Sequence, residues 1–309
     1  MTDELWPVAR RHLKRNFILG VINGALFSFG DALQDTNLVL SVFISRLSGS
    51  NLLVGLLQPV RLGGWFLPQL LVSCRLQRAR RKMPYYRLGA ALRSTGALGV
   101  GVSALLVRDP HLLVPLTFFM LAIFSLSGGF SGLAFTDLVA KTIPSRMRVS
   151  YSAWRIFTGG ILALLASVIV RQVLGSEGGP PFPTNYALLF LLAAFGICSG
   201  MTAFAFVKEP EDGQVRAPAS VREQLSRARR LPVHDANYRG FLAGRLCLML
   251  AEVAAPFYII YAKTSLGLPD AIAGTYLMVA ILANIGSTYV WGRTVTASAT
   301  APCCAAPVS

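Results

Sequence analysis

From Phe17 to Trp291 the chain alternates long apolar stretches with shorter polar connections. The pattern predicts eight helices: Phe17–Ile44, Leu52–Val72, Tyr85–Val107, Leu112–Ala140, Ser152–Leu174, Tyr186–Val207, Gly240–Ala262 and Ile272–Trp291. Each reaches the ~20 residues that a helix needs to cross a hydrocarbon core of about 30 Å. The connections among the first six are short, which predicts an up-and-down bundle of helices.

Lys and Arg follow a rhythm through those connections. Arg10, Arg11, Lys14 and Arg15 precede the first stretch, and Arg75, Arg78, Arg80, Arg81, Lys82 and Arg87 fill the second connection. Lys141, Arg146 and Arg148 lie in the fourth, and the sixth is basic from Lys208 to Arg239. The odd-numbered connections hold one each: Arg46, Arg108, Arg171 and Lys263. The positive-inside rule then predicts a multi-pass protein of the plasma (inner) membrane with a cytoplasmic N-terminus.

Composition agrees, with 54% hydrophobic and 14% charged residues. The net charge of +15 would suit nucleic acid. Its concentration in the predicted cytoplasmic connections is already explained by topology and by anionic lipid headgroups, so no nucleic-acid partner is expected. The first stretch is too long for a cleaved signal peptide and contains Asp31 and Asp35. Cys74, Cys198, Cys247, Cys303 and Cys304 show no C-x-x-C spacing, so neither a disulfide framework nor a metal site is expected, and no cofactor.

Residues 208–236 are polar and rich in Arg and Pro. Ser220 and Glu223 form a capping box there, and Val221, Leu225, Ala228 and Leu231 recur at helical spacing against Arg222, Arg227, Arg229 and Arg230. This predicts a basic amphipathic helix on the inner membrane surface. Residues 294–309 carry no charge and no periodicity, which predicts a disordered tail resembling an interrupted reading frame. The expected domains are thus a six-helix bundle over 1–207, a linker over 208–236, two further helices over 237–293 and the tail.

Six helices, a long basic linker and a new set of helices resemble the layout of the major facilitator superfamily (MFS). Arg78-Ala-Arg80-Arg81-Lys82 lies where that family has its basic loop between helices two and three, although Leu76, Val72 and Ala79 replace its Asp and two Gly. The run from Asp137 through Pro144, Arg146, Arg148 and Tyr151 to Arg155 is similar to its loop between helices four and five. Asn237-Tyr-Arg-Gly-Phe-Leu-Ala-Gly-Arg245 and Pro256-Phe257-Tyr258 are similar to its helix seven. The resemblance implies an all-α fold with the six-helix N-terminal half and two helices of the second half, truncated after the eighth. It also implies secondary active transport of a small solute, with the substrate site between the halves near the midplane.

Ionisable side chains inside a span cost about 2.5–3.5 kcal/mol each on insertion scales, so each needs a reason. Asp31 and Asp35 are spaced i, i+4 in the first stretch, with Gln34 and Asn37 nearby, and Arg61 falls at similar depth in the second. Two carboxylates one turn apart need a cation, and an Arg on the next helix would leave one of them proton-exchangeable. The group is either a proton-coupling or cation-recognising site, a charge-paired lock between helices one and two, or a set of side chains snorkelling to the outer interface. Glu252, near the middle of the seventh stretch, would face the same cavity as Asp31 if the two halves are pseudo-symmetric. Arg93, about eight residues inside the third, could snorkel to the cytoplasmic end. By resemblance, Asp137 with Arg155 or Arg146 would form an inner gate, against ordinary terminal pairing.

Pro59, Gly63, Gly64 and Pro68 interrupt the second stretch, which suits a helix lining a cavity. Gly20 and Gly24 form a G-x-x-x-G pair expected to serve close helix packing. Gly99-x-Gly101-x-x-Ala104 matches a dinucleotide fingerprint only by chance, having no preceding strand.

An enzyme is not expected. His12, His111 and His234 all lie outside the spans, and no nucleophile elbow occurs. The expected function is proton-coupled transport of a small solute, with lipid, solute and protons as partners. The alternative is a non-transporting scaffold or receptor, or a defective transporter fragment.

Overall fold

A backbone surrounded by hydrocarbon can bond only to itself, and every regular element among the described residues is a helix. The computed structural model describes residues 6–175, 179–210, 226, 232–233 and 235–299. Ten helices follow in order: α1 Trp6–Leu33, α2 Val39–Ser48, α3 Asn51–Arg78, α4 Met83–Leu106, α5 Pro110–Thr142, α6 Ser145–Gly175, α7 Thr184–Ala205, α8 Ala236–Glu252, α9 Ala255–Leu266 and α10 Ile272–Ala299. Six segments are long and apolar enough to cross a membrane, five of them within α1, α4, α5, α6 and α7, and the sixth running from Ala236 to Leu266. The predicted linker helix at Ser220–Leu231 lies outside the described residues, as does the tail from 300 onward. Residues 294–299, expected to be unstructured, continue α10.

Two of the predicted continuous stretches are broken. The first ends as a helix at Leu33, and Asp35 Oδ1 accepts the backbone N–H groups of Asn37 and Leu38, both at 2.9 Å. A short carboxylate that bonds the main chain two and three residues ahead competes with helix continuation and starts the next one. Asp35 therefore sits in the connection to α2 and does not continue the Asp31 face of a single helix. The seventh stretch breaks at Val253–Ala254, just before Pro256, which has no N–H to give to the preceding turn.

Within the bundle α1 packs against α6 and α7, α4 against α5 and α7, and α3 against α5. Gly20 and Gly24 admit the Tyr151 ring and the Arg155 side chain of α6, so this pair serves close helix approach as its spacing suggests. α10 lies along α6, and α9 meets α2 and α3. Leu92, Leu98, Leu106, Phe119, Phe157, Leu165 and Phe195 are exposed on the outside of the bundle. Against water such a belt would be an aggregation surface, whereas against acyl chains it is the appropriate exterior.

Side-chain bonds gather the basic connections at one end. Arg15 and Arg87 donate to the carbonyls of Phe206 and Ala205, at 3.1 and 2.9 Å, and Asn16 bonds the Lys208 backbone in both directions. Glu209 accepts from the backbone N–H groups of Lys82 and Met83 at the start of α4, and from Lys141 Nζ at 3.0 Å. At the opposite end Arg108 reaches Thr184, and Arg46 and Lys263 converge on Asp270. The even connections thus share one face of the bundle and the odd connections the other.

Glu209 ties three elements while almost fully buried, its side chain being 5% exposed. Glu209→Ala is expected to cost about 2–3 kcal/mol, the penalty for removing a carboxylate from a buried cation and from two helix-terminal donors. A lowered thermal unfolding midpoint in detergent, recovered in part by Glu209→Asp, checks this.

Candidate functional site

The break after α1 carries the site. Because the helix stops at Leu33, Thr36 and Asn37 come round beside Asp31 and face α3. Arg61 lies two residues beyond Pro59 on α3. Its guanidinium donates from Nη2 to Asp31 Oδ1 at 2.5 Å and from Nη1 to Thr36 Oγ1 at 2.6 Å. Gln58, one turn earlier, donates to Asn37 Oδ1 at 2.5 Å. Ser125 on α5 donates to the Arg61 carbonyl, fixing α3 at this depth. Arg61 is near enough to Asp35 for its charge to act there as well. Asp31, Asp35 and Arg61, singled out from sequence alone, are therefore brought together, with Thr36, Asn37 and Gln58 added as polar neighbours.

Arg93 departs from expectation. It does not snorkel: it is 8% exposed, on the face of α4 that packs against α5. Its guanidinium carbon lies 4.6 Å from the Phe27 ring, 4.5 Å from Phe124 and 5.2 Å from Trp65, so α1, α5 and α3 each supply one wall. Trp65 can approach because Gly128 and Gly132 leave room; a Cβ at Gly128 would lie 3.0 Å from the indole and 2.9 Å from the Arg93 guanidinium. Arg93 Nε is sealed from solvent and has no hydrogen-bond partner. The missed signal is that Gly89, Arg93 and Gly96 share one helix face, because small residues mark the side that packs inward.

The other expected residues lie elsewhere. Glu252 ends α8, a helix with no buried residue, and is exposed. Arg155 donates from Nη1 to the Gly20 carbonyl at 2.7 Å, to Asn23 Oδ1 at 3.0 Å and to the Tyr151 hydroxyl at 3.2 Å. It binds α6 to α1, and Asp137 lies half-buried on α5.

Chemically, the cluster offers a carboxylate and a guanidinium in direct contact, several neutral polar groups and a second guanidinium in an aromatic cage. Among the described residues no group of His, Cys, Asp or Glu could hold a metal ion. The chain matches no protein-family model and no curated protein.

Proposed function

We propose that the chain is a multi-pass membrane transporter of a small solute, driven by a proton gradient and related in layout to the major facilitator superfamily. The observation that carries this reading is the Asp31–Arg61–Thr36 cluster, set inside an apolar helical bundle beside Arg93. Ionisable groups held at this depth mark ion and solute paths more often than they serve stability. The basic end of the bundle would face the cytoplasm by the positive-inside rule, with the N-terminus there. In this mechanism protonation of Asp31 releases Arg61 for a different set of partners, and the break between α1 and α2 absorbs the movement.

Uptake into proteoliposomes under an imposed pH gradient, measured over a panel of small labelled solutes, tests it. The expected result is gradient-dependent accumulation that falls about tenfold or more in Asp31→Asn, since a charge-assisted bond is lost. Uptake of no solute, or uptake indifferent to both Asp31→Asn and Asp35→Asn, would remove the reading. The direct Arg61–Asp31 contact also favours a second reading, a fixed lock between α1 and α3 in a non-transporting membrane protein. That reading expects loss of stability in the same variants and no flux in the wild type.

A further inference from the structure

We infer that Arg93 is the recognition residue for a carboxylate, so that the solute taken by this site is a small organic monoanion. This rests on the transporter reading and adds a substrate class to it.

The inference begins with what Arg93 lacks. A guanidinium carries five N–H donors and is never deprotonated in ordinary proteins, so burial obliges it to find acceptors. Arg61, at comparable depth, has two, one of them a carboxylate. Arg93 has none among the described residues; its contacts are three aromatic rings. Rings over a guanidinium offset part of its desolvation without using any of its hydrogen-bonding capacity. Nε is sealed and unpartnered, and with no acceptor on the Nη groups among the described residues the forked end of the side chain has hydrogen-bonding capacity left for a ligand.

That fork sets the chemistry. Two parallel N–H vectors match the two oxygens of a planar carboxylate and hold it in the guanidinium plane. The surrounding rings would accept the apolar body of such a molecule. Charge limits the ligand further: Arg61 is already matched by Asp31, whereas Arg93 makes no ion pair among the described residues. One carboxylate would meet that guanidinium, and a second negative charge would meet only Asp31 and Asp35. Gly128 maintains the site by allowing Trp65 and Arg93 to approach α5 together.

The experiment measures binding without transport. The full chain in lipid nanodiscs would be titrated with benzoate, benzamide and phenyl phosphate, reading tryptophan fluorescence and the thermal unfolding midpoint. The expected result is saturable binding of benzoate with no response to the neutral isostere benzamide. Arg93→Gln should weaken benzoate by about ten- to a hundredfold, the range for losing a charge-assisted bidentate pair. Arg93→Lys, which keeps the charge and loses the fork, should fall between. Equal binding of benzamide, preference for phenyl phosphate, or benzoate binding retained in a folded Arg93→Gln protein would each overturn the inference. Because the wild-type ligand series needs no variant, misfolding of Arg93→Gln does not protect it. Binding of benzoate without any solute flux would leave the carboxylate site standing and remove the transporter reading; flux of neutral solutes alone would do the reverse.

Discussion

Arg61→Ala is expected to lower stability by about 1.5–3 kcal/mol, the cost of losing charge-assisted hydrogen bonds in a half-buried ion pair. The lost groups are specific: Asp31 Oδ1 and Thr36 Oγ1 both lose the guanidinium that donates to them. The measurement is the thermal unfolding midpoint of the purified chain, together with uptake. The double variant Asp31→Asn/Arg61→Gln separates the causes, because neutralising both partners removes the stranded charge. Recovered stability with absent uptake would assign the pair to transport. Recovery of both would make it a replaceable lock. A single Arg61→Ala protein as stable as wild type would contradict the geometry itself.

Gly96→Val should damage the packing of α4 against α5. A Cβ at Gly96 would lie 2.7 Å from the Phe124 nitrogen and 2.9 Å from the Met120 carbonyl oxygen. Both are main-chain atoms of α5, so no rotamer change relieves the overlap and the two helices must separate. Overpacking of this kind typically costs about 1–3 kcal/mol, and the rigid neighbours here put the expectation at the upper end. The separation would also draw Phe124 away from Arg93, so carboxylate binding should weaken together with the unfolding midpoint. Gly63→Ala, where a Cβ meets nothing within 4 Å, provides the matched comparison in the same bundle. Similar behaviour of the two variants would show that the α4–α5 contact can open to admit the added side chain.

Helix existence was legible because the hydrocarbon requirement is coarse: about 20 apolar residues are easily seen, and the stretches recur as helices, several of them running well beyond the apolar stretch, as where α1 starts at Trp6 and α10 ends at Ala299. Breaks inside the stretches were not. Asp35 reads as one more polar residue on a helical face until its carboxylate is seen to bond Asn37 and Leu38, a local competition that apolar content does not register. Pro256 was visible, yet proline is tolerated in spanning helices, so its presence alone did not fix a break at Val253. The Asp31–Arg61 pair could be anticipated from matched depth on adjacent antiparallel helices. Arg93 could not, because its cage is assembled from Phe27, Trp65 and Phe124 on three separate helices, and the distance to the nearer end favoured snorkelling. Glu252, expected from pseudo-symmetry to face a central cavity, ends a helix that buries nothing.

The convergence of Arg46 and Lys263 on Asp270 has a mechanical result. One carboxylate, 13% exposed, clasps a cation from α2 and a cation from α9, and the Tyr186 hydroxyl lies 3.4 Å away. Both clasps share a single atom group, so the seam between these elements parts in one event instead of unzipping stepwise. Loss of Asp270 alone would therefore release both cations at once.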